Sequence, residues 1–177
     1  MIARSASRPE AFGAIFDRHF PAIHAYLARR VGQSSADDLA ASTFTVAFER
    51  RRSFRGDADS ARPWLFGIAT NLLRNERRSE WRTLRALSRL NARPLTEPIG
   101  PTGIDPRLAA LLSQMEADQR DVLLLYAWGE LTYDEIAASL GIPLGTVRSR
   151  LARAREHLRR TIADDEPRPA QARETRG

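Results

Sequence analysis

A chain of 177 residues lies at the boundary between one domain and two small ones, so its middle must be read for a break. Hydrophobic residues make up 42% and charged residues 28%, an ordinary globular balance, and no apolar run approaches the roughly 18 to 20 residues that cross a bilayer. The absence of cysteine excludes a disulfide framework, a cysteine nucleophile and any thiolate metal site. Arg4 and Arg8 are followed by no apolar core of a secretion signal, so the expectation is a cytoplasmic protein without membrane association.

The net charge is +6, and all 28 basic residues are arginine. That balance favours polyanionic partners, because the planar guanidinium fork binds phosphates and base edges bidentately and stacks on rings. The codons of a GC-rich genome, which favour arginine, would account for most of the missing lysine. They do not account for where the arginines cluster.

Helical periodicity dominates and no alternating strand of useful length is found, so the expected class is all-α. A first helix is predicted over Pro9–Val31, with Phe12, Ile15, Phe16, Phe20, Ile23 and Leu27 at helical spacing, Pro21 bending it and Gly32 ending it. Ser35 with Asp38 reads as a capping box opening a second helix, which closes before Ser53. The turn-rich stretch SFRGDADS, Ser53 to Ser60, precedes a third helix capped by Ser60, with Pro63 in its first turn. Its predicted apolar stripe is Leu65, Ile68, Ala69 and Leu72; Thr70, Arg74, Arg77, Arg78 and Trp81 fall opposite.

From Asn91 to Asp105 the sequence NARPLTEPIGPTGID, rich in proline and glycine, sustains neither helix nor strand and marks a linker. Asp105-Pro106 then caps a helix with Leu108, Leu111, Leu112 and Met115 on one face. A further helix spans about Asp118–Trp128 and stops at Gly129. Thr132 with Glu135 forms another capping box, opening a short helix that ends at Gly141, and a last helix runs from about Gly145 to Ile162. The expected organisation is two small helical domains, 8–90 and 105–163, a flexible linker 91–104 and a disordered tail 164–177.

The chemistry concentrates in Thr132–Arg160, where a short capped helix, a tight glycine turn and a basic helix make a helix-turn-helix. On the last helix Val147, Leu151, Ala154 and Leu158 form a narrow apolar stripe. Ser149, Ala152, Arg153 and Glu156 lie opposite, flanked by Arg148 and Arg159, which is what entry into a major groove requires. An arginine face on a lone helix is as readily a solvated surface; its place after a capped helix and turn favours recognition. His19, His24 and His157 are scattered, so no metal site, cofactor or catalytic constellation is expected.

The segment EIAASLGIPLGTVRSRLARAREHLR, Glu135 to Arg159, resembles the promoter-reading C-terminal domain of the extracytoplasmic-function (ECF) group of bacterial sigma factors. DDLAASTFTVAFERR, Asp37 to Arg51, resembles the family segment that docks on the clamp helices of the polymerase β′ subunit. RPWLFGIATNLLRNERR, Arg62 to Arg78, resembles the adjoining segment that grips the -10 element. A helix-turn-helix alone fits an ordinary regulator equally well; two blocks in the family order, separated by a Pro/Gly linker, favour the sigma factor.

The resemblance implies that Arg148, Ser149, Ala152 and Arg153 face the bases of the -35 element, with Thr146, Arg150 and Arg155 on phosphates. For the -10 element it implies Asn71, Arg74, Arg77 and Arg78, with the loop from Ser53 to Asp59, including Phe54 and Asp57, as the pocket for a flipped base. Trp64 suits core packing better than base stacking. Asp37 and Asp38, which also oppose a helix dipole, would form a core-polymerase docking patch with Leu39, Thr43, Phe44 and Phe48; the two phenylalanines are equally readable as core. Implied partners are core RNA polymerase (β′ clamp helices and β flap), promoter DNA and an anti-sigma protein. The sequence departs from the family pattern at Met115-Glu116, where relatives carry Leu-Pro and where the helix is expected to run on, and near Asn75-Glu76. The rival readings are a stand-alone helix-turn-helix regulator and an arginine-rich RNA-binding protein.

Overall fold

The computed structural model describes residues 2–5, 8–54, 61–88 and 105–165, and among these the regular elements are all helical. In chain order they are α1 (Ile2–Ser5), a 3₁₀ turn (Pro9–Phe12), α2 (Gly13–Val31), α3 (Gln33–Arg50), a 3₁₀ turn (Arg51–Ser53), α4 (Ala61–Ser88), α5 (Pro106–Ser113), α6 (Ala117–Ala127), α7 (Tyr133–Leu140) and α8 (Leu144–Asp165). The linker 91–104, the expected helix cap Ser60, the loop residues 55–59 and the end of the tail, residues 166–177, lie outside the described residues.

In the N-terminal half α2 packs on α3, and both pack on α4. The reversal between α2 and α3 takes a single residue, Gly32, whose φ of 86° lies where a Cβ would be strained. Its amide donates to the Ala28 carbonyl at 2.9 Å and its own carbonyl accepts from Ala36 N–H at 3.1 Å, closing one helix and opening the next. This displaces the expected capping box. Helix α3 starts at Gln33, no side chain caps it, and Ser35 lies exposed within its first turn. Helix α1, which has no sequence signal, buries Ile2 and is tied down by Arg51, whose Nε donates to the Ser5 carbonyl at 3.1 Å.

Helix α4 departs most from expectation. Leu65, Ile68 and Ala69 are buried as the stripe requires, but so are Phe66, Thr70 and Leu73. The reason is a second neighbour: α4 packs against α7 as well as against α3 and α2. Gly67 permits the approach, since a Cβ there would stand 2.3 Å from the Ser139 carbonyl oxygen.

In the C-terminal half the Asp105 carboxylate accepts from Arg107 N–H at 2.7 Å and caps α5 with Pro106 in its first turn. Helix α5 ends at Ser113 and does not run on; Met115 is buried in the turn that follows. Helix α6 buries Val122, Leu123, Leu124 and Leu125. Thr132 and Glu135 make the reciprocal capping box that opens α7. Gly141, in the left-handed region at φ 63°, ends α7, and Pro143 accepts from Thr146 N–H as α8 begins.

Candidate nucleic-acid interface

Helix α8 is held by Val147, Leu151 and Ala154, all buried against α6 and α7. Enclosing the two larger side chains contributes about 1.5–3 kcal/mol each, which fixes the helix's rotation. That rotation turns Arg148, Ser149, Ala152 and Arg153 outward together, while Thr146 and Arg150 are half-buried at the margin. Among the described residues Arg148 and Arg153 pair with no carboxylate. The Ser149 hydroxyl donates to the Thr146 carbonyl at 3.0 Å, leaving its lone pairs to accept. Arg155 stands over the Tyr126 ring at 5.3 Å and within 3.4 Å of the Tyr133 hydroxyl, so the expected phosphate contact is engaged with the domain's own surface. Glu156, expected on the outer face, is half-buried and pairs with Arg159 and Arg160.

The second expected surface, on α4, is divided. Asn71 and Arg78 are exposed. Arg77 is half-buried, with its guanidinium 3.5 Å from the Arg30 carbonyl. Arg74 is drawn across to the C-terminal half, where its Nε donates to Asp121 at 2.5 Å and a terminal nitrogen to Asp118 at 3.0 Å. Phe54 and Trp64 pack together with ring centroids 4.9 Å apart and both partly buried, which makes Trp64 part of the packing. Asp57, the remainder of its loop and the Trp81 side chain lie outside the described residues.

The expected docking patch on α3 separates into layers. Asp37, Asp38 and Phe48 are exposed, whereas Leu39, Thr43 and Phe44 are buried, so these three support the patch from beneath and do not form its contact surface. Helix α3 is covered by both α2 and α4, and 39, 43 and 44 lie on its covered sides. Thr43 donates to the Leu39 carbonyl at 2.7 Å, and Phe44 packs edge-on to Phe12 and Phe16. Phe48 is 36% exposed beneath the Arg51 guanidinium, 3.8 Å from the ring centroid. The Asp37 carboxylate accepts from His24 Nε2 at 2.7 Å.

Sequence reasoning missed a buried polar group between the halves. Arg30 and Asp121 have side chains only 2% exposed and meet at 2.5 Å. Arg30 also donates to the Tyr26 hydroxyl at 2.6 Å, which lies 3.1 Å from the Thr70 hydroxyl. Burial, the largest influence on Asp121, pushes its carboxyl up, but the Arg30 and Arg74 guanidiniums more than reverse this and hold it below the ordinary carboxylate range. Burial likewise opposes charge on Arg30, and Tyr26 and Asp121 overcome it, so Arg30 stays protonated. Asp118 completes the group, accepting from Arg74 and from Arg150, the latter at 2.5 Å. An arginine after Tyr26 and Leu27, and an aspartate directly before Val122–Leu125, are visible anomalies in apolar surroundings. Nothing in the sequence pairs them across 91 positions.

Comparison with known proteins matches both halves of the chain. The family described as Sigma-70 region 2 matches residues 15–83, and Sigma-70, region 4 matches residues 106–158. The chain is 36% identical to the ECF RNA polymerase sigma factor SigC of Mycobacterium tuberculosis (strain CDC 1551 / Oshkosh), over 75% of this chain and 71% of that protein. It is 32% identical to the RNA polymerase sigma factor NccH of Alcaligenes xylosoxydans xylosoxydans, over 89% and 90%. Among solved structures, CnrH in complex with the cytosolic domain of CnrY superposes with a TM-score of 0.66 at 26% identity, covering 93% of this chain and 96% of that one. The sigma factor RpoE of Bartonella quintana, in complex with the anti-sigma factor NepR, gives 0.62 at 26% identity, covering 88% and 99%. The all-helical fold, the helix-turn-helix with its exposed arginine face and these relatives over nearly the whole chain together place the protein: it belongs to the ECF RNA polymerase sigma factors.

Proposed function

We propose that this chain binds core RNA polymerase and directs it to promoters by reading the -35 element with α8 and the -10 element with α4, assisting strand opening there. The observation that carries the reading is the outward face Arg148, Ser149, Ala152 and Arg153 at the N-terminal half of α8, seated on a capped α7 and a left-handed glycine turn. Guanidinium forks on that face suit guanine edges, and the Ala152 methyl suits a thymine methyl. Residues 8–90 and 105–163 act as two domains, with 91–104 as the tether. The exposed Asp37, Asp38 and Phe48 offer core polymerase a mixed acidic and aromatic patch supported by Leu39, Thr43 and Phe44. The nucleotidyl chemistry belongs to the core, and this chain supplies address and opening in the cytoplasm. CnrH and RpoE were each solved with a protein partner, RpoE with one named as an anti-sigma factor, and an inhibitory partner of that kind is inferred for this chain.

The test is co-purification with core polymerase, followed by run-off transcription that depends on adding this chain. Failure to bind core overturns the reading in favour of a stand-alone regulator, which would bind duplex DNA tightly by itself. Within the same assay, joint replacement of Arg77 and Arg78 by alanine is expected to impair open-complex formation while core binding is retained. Permanganate reactivity of the -10 thymines reports the opening, and unchanged reactivity removes these two arginines from the -10 surface.

A further inference from the structure

A row of rings on α2 runs beside the patch on α3. Phe16, Phe20 and His24 follow one another at the four-residue spacing that brings helical side chains together. Phe16 and Phe20 stack with centroids 4.8 Å apart and 30° between their planes, and the His24 ring continues the stack on Phe20 at 5.6 Å and 24°. Phe44 of α3 packs against the same row, 4.9 Å from Phe16 and 5.9 Å from Phe20. His24 is the one ring of the row that carries a donor. Its Nε2 reaches from α2 to α3 and meets Asp37 Oδ1 at 2.7 Å.

The two partners differ in freedom. The His24 side chain is 22% exposed and its ring is fixed by the stack, whereas the Asp37 side chain is 72% exposed. A free aspartate at such a site turns among staggered rotamers. Docking must then select one of them, at a cost that is smaller for a side chain already held. The tie engages Oδ1 and leaves Oδ2 to accept from a donor outside the chain, so the carboxylate is oriented without being used up. As a contribution to folding the pair counts for little, because one partner is largely in solvent. Helices α2 and α3 are joined instead by a core in which Ile23, Leu27, Leu39 and Ala40 are enclosed.

We propose that His24 is a positioning residue for docking on core polymerase: it orients the Asp37 carboxylate so that Oδ2 meets an arginine or lysine side chain of the core. The inference rests on the proposed assignment of Asp37 to the docking patch. It carries that patch from α3 onto a second helix, and makes its acidic end depend on a residue that acts through Asp37.

Full-length variants competing with a dye-labelled wild-type chain for core polymerase test it. Because the chain has no cysteine, a single cysteine at the exposed Ala163 takes the dye. His24→Phe keeps a ring to stack on Phe20 and removes the donor; His24→Gln removes the ring and keeps an N–H near the place of Nε2. His24→Phe is expected to weaken core binding about two- to tenfold, with a thermal melt by circular dichroism like that of the wild type, and His24→Gln to restore most of the loss. In an Asp37→Ala background neither substitution should have a further effect, since a residue that acts through Asp37 then has nothing to orient. Wild-type affinity of His24→Phe overturns the inference, and so does tighter binding, which would mean that His24 withholds the carboxylate. A loss that His24→Gln shares in full, or that persists undiminished in the Asp37→Ala background, also overturns it, because His24 would then act on the fold and not on Asp37. Asp37→Ala alone separates the two failures: if it leaves core affinity unchanged, the docking-patch reading fails, and if it weakens binding while His24→Phe does not, the positioning role alone fails.

Discussion

Phe66→Ala is expected to lower the unfolding free energy of the full chain by about 3–5 kcal/mol, the range for truncating an enclosed phenylalanine. The ring is 1% exposed and is closed in from several sides. Its edge meets the Tyr26 ring at a centroid distance of 5.2 Å and 74°, and the Arg62 guanidinium lies 5.5 Å from its centre. Above it stands Gly129, which has no side chain with which to fill a void. Tyr26 cannot relax into the space either, because its hydroxyl is anchored to Arg30 and Thr70. The lost transfer free energy and the unfilled cavity should therefore both be felt. Urea unfolding followed by circular dichroism should show a lower midpoint at an unchanged slope. A loss below about 1 kcal/mol would mean that the ring is not enclosed between the halves in solution.

Phe66 also shows where the sequence stops being informative. Local signals located most helices to within a few residues: Gly32 and Gly141 are left-handed terminators, Asp105 and Thr132 are caps, and the apolar stripe of α8 is buried as its period requires. Each of these is decided by neighbours a few positions away. The capping box at Ser35 failed because a one-residue glycine reversal started α3 earlier, a choice made by tertiary packing of α2 on α3. The two-faced reading of α4 failed for a larger version of the same reason. A periodicity argument assumes one buried side and one wet side, and α4 is covered on a second side by α7. Thr70 and Leu73 are buried in consequence, and Arg74 meets carboxylates that lie 44 and 47 positions away. The outward face of α8 needed no such long-range knowledge, which is why its residues were legible one by one and those of α3 and α4 only as segments.

For that face the decisive substitution is Arg153→Ala, measured with core polymerase bound so that the halves are engaged on DNA. Binding to a matched -35 sequence is expected to weaken by about 1–3 kcal/mol, the worth of a bidentate base contact, or about 5- to 150-fold at 1.4 kcal/mol per factor of ten. Stability should not change measurably, because the side chain is exposed and pairs with no carboxylate among the described residues. What distinguishes base reading from phosphate neutralisation is the pattern of the loss. A base contact disappears only where its base is present, so the variant and the wild-type protein should converge on sequences altered at the contacted position, and the dependence of log K on log salt should keep its slope. A phosphate contact would weaken every sequence alike and reduce that slope by about 1. Uniform weakening would move Arg153 to the backbone-positioning set and leave Arg148, exposed five residues earlier at the flank of that face, as the base-reading arginine of α8.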